Sequence, residues 1–365
     1  MGAKSPGKAR PLCFDRGVLL IYGASGYTGA LIARSAAEYG LRPILAGRDL
    51  AKVKGVAEPL GLEARSASLG DSAELSATLE GVTCVLNCAG PFARTALPVF
   101  EACLVRGAHY LDIAGEIDVF EALAARAGEA QCAGIMALPG VGFDVVPSDC
   151  LAAHLAQRLP SATHLTLGIH SSGAVSHGTA STMLEQIGKS AMVREGGRLT
   201  PVRLGSRQRN IDFGDGPRAA VAIAWGDVAN AFYSTGIANI EVYWAVPRLL
   251  ATALKFAGGL TALAASPRTR SFLQRQIDAR PAGPNDAQRA AGACILWGEA
   301  SNAAGERVSA RLVTPEGYAL TIHAALHVAR AVLAGKTTPG YQTPSTWGGP
   351  DLILELAGVR REKLP

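Results

Sequence analysis

The chain is poor in charge and in aromatic rings, and several signatures that would decide its class outright are missing. Charged residues make up 18% of the 365 and aromatic residues 6%, against 48% apolar. That balance excludes a disordered chain, which needs low hydropathy and high charge. The 35 Lys and Arg exceed the 30 Asp and Glu by only +5. They are dispersed, so no basic stripe points to nucleic acid. The 42 glycines follow no Gly-X-Y period, which excludes collagen. The seven cysteines include no two close pairs of the kind a zinc knuckle needs. Cys13, Cys84, Cys88, Cys103, Cys132, Cys150 and Cys294 lie mostly in apolar runs. They read as reduced, buried thiols of a cytoplasmic protein. Residues 1–17 are basic and lack an apolar stretch, so they read as a flexible leader rather than a signal peptide. The most membrane-like stretch, 245–265, is broken by Pro247, Arg248, Lys255 and Gly258-Gly259, which argues against a spanning helix.

What is present is alternation. From Val18 to about Pro147, short apolar runs read as strands: Val18–Tyr22, Pro43–Ala46, Cys84–Cys88, Tyr110–Ile113 and Gly134–Leu138. Helical patterns at Tyr27–Tyr39, Leu97–Arg106 and Val119–Gln131 separate them, with weaker elements at Glu63–Ser66 and Ala73–Leu79. Strands apolar throughout imply burial on both faces, so the class is α/β with a doubly wound Rossmann-type parallel sheet. After Ser148 come a helix at Cys150–Arg158 and strand-like runs at Thr163–His170, Ala219–Trp225, Ile240–Ala245, Ala293–Ala300 and Glu306–Thr314. Hairpin-like spacing predicts a second, α+β domain with a mainly antiparallel sheet, closed by a helix at Tyr318–Ala334. The expected boundaries are 1–17 leader, 18–148 nucleotide domain, 149–335 substrate domain and 336–365 a C-terminal return.

The strand Val18–Tyr22 runs into Gly23-Ala24-Ser25-Gly26-Tyr27-Thr28-Gly29 and then a helix. In that setting Gly23 permits the turn, Gly26 admits a pyrophosphate, and Gly29 lets the helix pack on the strand. The helix N-terminus adds free amides and a positive dipole end. An NAD site wants Asp or Glu about 20 residues on, whereas Ala46-Gly47-Arg48 stands there. A forked cation suits a 2′-phosphate, which selects NADP(H); Asp49 reads as the cap of the next helix. Two further strand ends face the same crevice, at Asn87-Cys88-Ala89-Gly90-Pro91-Phe92 and Tyr110-Leu111-Asp112-Ile113-Ala114-Gly115-Glu116.

Together with Leu45–Arg48, Gly142-Phe143-Asp144-Val145-Val146-Pro147-Ser148-Asp149 and the tail Thr343–Trp347 with Leu352–Leu356, these segments resemble the saccharopine dehydrogenase-like oxidoreductases, a group that includes saccharopine reductases and trans-acting enoyl reductases. The resemblance is strong over about Val18–Asp149, moderate in the tail and loose between. It implies an NADP(H)-dependent reductase with a Rossmann domain, an inserted α/β domain and a C-terminal segment packing back. Ser176-His177-Gly178-Thr179-Ala180-Ser181 looks like the family's Gly-Thr loop near the cofactor, with His177 where a small residue is commoner. No paired-arginine clamp for a dicarboxylate can be placed.

A hydride reductase usually needs a proton donor. Candidates are Tyr110, Asp112, Glu116, Asp144 and His177; each also has a plain reading as a turn, cap or hydrogen-bonding residue. None of the eight tyrosines is followed by Lys four residues on, which disfavours short-chain dehydrogenases. Cys150 opens a helix as an acyl-phosphate reductase nucleophile does, but Asp149 beside it should raise the thiol pKa. His323 and His327 have a zinc-binding spacing without the Glu of the hydrolase motif, so packing is the better reading and no metal is expected. The stretch Val246–Ala265 reads as core, with lipid or acyl contact as the alternative. The expected reaction is hydride transfer to a C=C, C=N or C=O acceptor, an enoyl or lipid-like one favoured; a saccharopine-type dehydrogenase and a non-catalytic NADP-binding module are the rivals. The expected partner is a small molecule, with no nucleic acid, and a homodimer is compatible with the sequence.

Overall fold

The computed structural model describes residues 17–171, 190–256, 269, 271, 274–276, 279 and 283–364. His177, Gly178, Cys13 and nearly all of the expected leader lie outside these residues. The nucleotide half is built from β1 (Leu19–Tyr22), α1 (Tyr27–Ser35), β2 (Ile44–Gly47), α2 (Leu50–Ala57), β3 (Ala64–Ser66), α3 (Ser72–Thr78), β4 (Cys84–Asn87), α4 (Phe92–Arg106), β5 (His109–Asp112), α5 (Ile117–Ala125), α6 (Ala127–Cys132) and β6 (Met136–Leu138). Every residue of β1, β2 and β4 is buried, as the unbroken apolar runs require of strands covered on both faces. The parallel order β3-β2-β1-β4-β5-β6 reverses between β1 and β4, the switch point of a doubly wound sheet. Asp49 caps α2 by accepting from the Lys52 amide at 3.2 Å, as its position predicts.

The helix expected over Val119–Gln131 is two helices. Arg126 leaves the helical region at φ −103°, ψ 15°, and its guanidinium bridges Glu101 and Glu129 over the ring of Phe100. Phe100 in turn packs edge-on against Tyr110, ring centroids 5.8 Å apart. Burying an aromatic ring of this kind stabilises the layer by about 2–3 kcal/mol.

The chain then enters α7 (Val146–Arg158) and a nine-stranded sheet: β7 (His164–Ser171), β8 (Ala191–Glu195), β9 (Arg198–Val202), β10 (Gln208–Asp212), β11 (Pro217–Ala222), β12 (Asn239–Ala245), β13 (Ala293–Ser301), β14 (Arg307–Pro315) and, last in the chain, β16 (Arg360–Leu364). Pairing is mainly antiparallel, as expected, but β12 and β7 run parallel because α8 (Asp227–Thr235) carries the chain into β12. The hairpin β8–β9 was not foreseen beyond its turn, Gly196-Gly197. Helix α7 covers one face of this sheet: a Cβ at Gly298 would stand 2.6 Å from Leu155 Cδ1, so the glycine lets Leu155 pack directly on the strand.

Two elements of the second half return to the first. Helix α11 (Gly317–Leu333) packs against α1, and β15 (Gly340–Tyr341) extends the parallel sheet beyond β6. One continuous apolar core therefore runs through both sheets. The tail serves both halves, since β15 and α12 (Pro344–Gly348) follow the first sheet while β16 pairs with β14 of the second. Between them lie α9 (Arg248–Phe256) and α10 (Asp286–Ala291). Helix α9 corrects the reading of Val246–Ala265 as core: Ala251 is buried, but Leu249 is 87% exposed and Leu250 46%. Residues 257–265 lie outside the described residues. Among the described residues no helix is long and apolar enough to cross a membrane.

Candidate functional site

The site is built at the carboxyl ends of β1, β2, β4, β5 and β6. Gly23 leaves β1 at φ +81°, a conformation L side chains avoid, and donates to the Ala46 carbonyl of β2 at 2.8 Å. A Cβ on it would stand 2.7 Å from the Ala89 nitrogen, so the turn is pressed against the loop after β4. A Cβ on Gly29 would stand 2.5 Å from the Gly23 carbonyl; helix and turn touch as the spacing predicts. Gly26 is exposed and begins α1 with no side-chain cap and no acidic residue in the first turn. Among the described residues the first α1 amides have no side-chain cap, which fits a phosphate. Ser25 is exposed and Thr28 half-buried beside them.

Two members of the loop differ from expectation. Ala24 is fully buried and belongs to the core rather than to a cofactor surface. The Tyr27 hydroxyl is engaged by the Pro284 carbonyl and by Arg289 at 2.9 Å, and its ring meets Tyr318 edge-on at 5.2 Å. Its side chain anchors the second half, leaving its backbone for a ligand.

Arg48 directly follows β2 and is exposed, and among the described residues no carboxylate pairs with it. It stands close enough to Tyr22 to act on that phenol electrostatically. A free guanidinium beside an uncapped glycine turn is the donor set that a 2′-phosphorylated ribose requires.

Asn87 is fully buried, with its side chain spent inside the protein: Nδ2 donates to Thr95 Oγ1 at 3.2 Å, and Oδ1 accepts from the Ala89 amide at 3.0 Å. It shapes the loop Ala89-Gly90-Pro91 rather than touching a cofactor through its side chain. Ala89 and Pro91 are half-buried and Gly90 is exposed, so that loop offers surface along the crevice.

The expected proton donors separate into two groups. Tyr110 and Asp112 have no exposed surface, which corrects their assignment as catalytic: a bound acceptor cannot touch them. The Tyr110 hydroxyl donates to Asp112 Oδ2 at 2.7 Å, and Asp112 Oδ1 accepts from the amides of Ala114 (2.9 Å) and Gly140 (2.8 Å). Burial lifts the Asp112 carboxyl to about 6 despite these three bonds, and the carboxyl ties β5 to the loop after β6. Glu116 is likewise a loop clamp: it accepts from the Phe92 amide at 3.3 Å and from the Gly115 amide at 3.0 Å.

Asp144 is different. It is half-buried and lies over Gly115, where a Cβ would stand 2.9 Å from Asp144 Oδ2. Among the described residues its carboxyl has no hydrogen-bond partner. Burial, with the nearby negative charge of Glu116, pushes it up to about 7. A carboxyl half-protonated near neutrality in the loop after β6 is suited to proton transfer. Gly142 is a packing residue against Thr321 of α11. Thr321 also takes the Phe143 amide at 3.0 Å, fixing the loop that carries Asp144.

Other readings fall away. Cys150 is fully buried, and its thiol is pushed far above the usual range by burial and then by Asp149, so it is no nucleophile. His323 meets Tyr39 at 2.6 Å and His327 meets Glu355 at 3.0 Å, separate partners for two packing residues. Among the described residues no cluster suited to a metal ion occurs. A polar cavity of about 330 Å³ lies away from the strand ends, on the second sheet; its arginines 207 and 209 are already matched by Glu195, Glu241 and Glu299. Sequence reasoning missed Asp227 and Asn230, both fully buried near this site on α8. Their three-residue spacing puts both on one helix face, the only signal available.

Known proteins resemble this chain in sequence over part of its length and in fold. Residues 19–138 match the family described as saccharopine dehydrogenase NADP binding domain. Over 197 residues the chain is 34% identical to a putative trans-acting enoyl reductase of Mycobacterium tuberculosis, covering 48% of this chain and 45% of that protein. Over 151 residues it is 31% identical to the human saccharopine dehydrogenase-like oxidoreductase, 36% of this chain and 35% of that one. The chain thus spans less than half the length of these curated relatives. Among solved structures, apo saccharopine dehydrogenase (L-Glu forming) from Saccharomyces cerevisiae superposes with a TM-score of 0.68 at 12% identity, covering 96% of this chain and all of that one. Homospermidine synthase from Legionella pneumophila, in complex with NAD, gives 0.63 at 11% identity, covering 96% and 92%. At such identities both show a shared fold. Residues 19–138 thus match a saccharopine dehydrogenase NADP binding domain, and the chain is similar over part of its length to trans-acting enoyl reductases and saccharopine dehydrogenase-like oxidoreductases.

Proposed function

We propose that the protein is an NADP(H)-dependent reductase whose acceptor lies at the ends of β4, β5 and β6, with Asp144 as the proton donor. The observation that carries the reading is the uncapped glycine turn at the sheet's switch point beside Arg48, which pairs with no carboxylate among the described residues. The α1 amides and Gly26 would hold the pyrophosphate, and Arg48 the 2′-phosphate. When bound, the reduced nicotinamide supplies a hydride. The chain's own part is to orient the acceptor along Ala89-Gly90-Pro91 and to hold a proton on Asp144 ready for the atom that gains negative charge. Buried carboxyl groups, with no arginine pair among the described residues of the crevice, do not suit a dicarboxylate. A conjugated enoyl or a related lipid-like C=C acceptor is favoured, in line with the name of the mycobacterial relative.

Arg48→Ala tests the cofactor assignment. Losing charged hydrogen bonds to a phosphate costs about 1.5–3 kcal/mol, so NADPH affinity should fall roughly 10–100-fold while NADH affinity barely moves. Competitive titration of the two cofactors reads this directly; an unchanged preference would remove Arg48 from the site. Following NADPH consumption across enoyl thioesters, imines and ketones then identifies the acceptor class.

A further inference from the structure

Helix α9 is fixed to the second sheet by one side and open on the other. Ala251 is buried where the helix packs on β11, and its carbonyl accepts from Gln208 Nε2 at 2.7 Å. The Lys255 carbonyl accepts from Arg203 at 3.1 Å. The Leu254 backbone rests on Gly205, where a Cβ would stand 2.6 Å from it. These contacts come from the β9–β10 connection and the start of β10, and they set which side of the helix faces away.

On that outer side Leu249 is 87% exposed, more than any other large apolar side chain among the described residues, and Leu250 next to it is exposed as well. Ala253, one turn on from Leu249, is also exposed, so the open strip is apolar along the helix. A single exposed leucine is ordinary; adjacent ones rimmed by charge mark an interaction surface.

The charge around this strip has one sign. Arg248 and Lys255 stand two turns apart on one flank of α9, and Arg203 lies at its carboxyl end. All three are exposed, and among the described residues no carboxylate pairs with any of them. Arginines elsewhere are commonly matched: Arg126 by Glu101 and Glu129, Arg289 by Asp286, Arg311 by Glu362. The sequence keeps acids away from this region. Residues 242–277 contain five Lys and Arg and no Asp or Glu, an excess as large as the +5 of the whole chain.

A second copy of the chain is a poor cover for such a face, because an isologous contact would set cations against cations. Spanning a bilayer is excluded by length, since the nine residues of α9 measure about 14 Å against about 30 Å of hydrocarbon. An anionic lipid surface answers both features, taking the leucines among its acyl chains and the cations at its headgroups.

We propose that α9 seats the protein on an anionic bilayer surface, with Leu249 and Leu250 in the interface and Arg203, Arg248 and Lys255 at the phosphates. The seat adjoins the crevice. Helix α9 starts just after the end of β12 that carries Trp244, whose ring packs on that of Trp225 at 5.4 Å. Gly226, next to Trp225, abuts Gly115 of the crevice: a Cβ on it would stand 3.0 Å from the Gly115 carbonyl. The proposal does not rest on the cofactor or acceptor reading.

Flotation of the full chain with vesicles tests the seat, using phosphatidylcholine alone and an equal mixture of phosphatidylcholine and phosphatidylglycerol. The unmodified chain should bind the mixture at least about tenfold better than phosphatidylcholine alone and should release as salt rises. Leu249→Glu should weaken binding at least about tenfold, and Arg248→Gln about fivefold. Leu249→Trp puts an interface-seeking ring on the strip and should bind at least as well as the unmodified chain. Its added indole emission should shift to the blue with the anionic vesicles only. These side chains are exposed, so the melting midpoints should stay equal. No flotation with the anionic vesicles, equal flotation with phosphatidylcholine alone, or equal flotation of Leu249→Glu overturns the proposal. So does a lipid-free dimer that Leu249→Glu dissolves, since the strip would then belong to a second copy. If Leu249→Glu melts lower, an unshifted emission in Leu249→Trp decides against the seat in its place. Failure to bind NADPH would instead remove the cofactor assignment and leave the flotation result standing.

Discussion

Asp144→Asn should lower acceptor turnover about 10²–10⁴-fold, the range expected for loss of a positioned general acid. The substitution keeps the shape of the side chain over Gly115 and removes only its titratable proton. NADPH affinity should hardly change, because the glycine turn and Arg48 lie at other strand ends. The same variant should be more stable than the unmodified chain at pH 8. Burial and Glu116 raise the folded-state pKa of Asp144 to about 7, whereas an unfolded aspartate ionises near about 3.9. Between those values the unfolded state has released its proton and the folded state retains it. The stability contributed by that proton is full in acid and is lost as pH rises through about 7. Asparagine does not titrate, so the difference between variant and unmodified chain should grow across this window and then level off. Denaturant melts at pH 4, 6 and 8 would show it, and a constant difference would mean that Asp144 is an ordinary surface carboxylate.

Gly23→Ala should damage both the fold and the cofactor site. At φ +81° a Cβ costs about 1–2 kcal/mol in backbone strain. The approach to the Ala89 nitrogen, 2.7 Å away, adds about 1–3 kcal/mol because backbone rather than a flexible side chain must move. The sum, about 2–5 kcal/mol, should appear as a lowered denaturation midpoint. The displaced turn also misaligns the α1 amides, so NADPH affinity should fall at least about tenfold. Gly55→Ala is the contrast: nothing stands within 4 Å of a Cβ there, on α2, and that variant should keep full affinity.

How much of this was legible in the sequence depended on whether a signal was local. The glycine turn, the Asp49 cap and the buried strands each follow from residues close in the chain, and the structure has them where the spacing predicts. Side-chain roles at the strand ends were not local. Tyr110 and Asp112 read as donors because they end a strand, yet Asp112 is consumed by amides from Ala114 and Gly140, one of them 28 residues away. Tyr27 was assigned to the cofactor by its place in the loop, but Pro284 and Arg289 hold its hydroxyl from across the molecule. Asp144 stood out only once Gly115 was seen beneath it. The second sheet was the least readable half, since the β8–β9 hairpin and the parallel β12–β7 pair depend on long-range pairing.

The central claim is that the turn Gly23–Gly29 and Arg48 form an NADP(H) site. Equilibrium titration of the unmodified chain with NADPH and with NADH, followed by nicotinamide fluorescence, tests it most directly. NADPH should bind saturably and at least about tenfold tighter than NADH. No binding of either cofactor, or tighter binding of NADH, would contradict it.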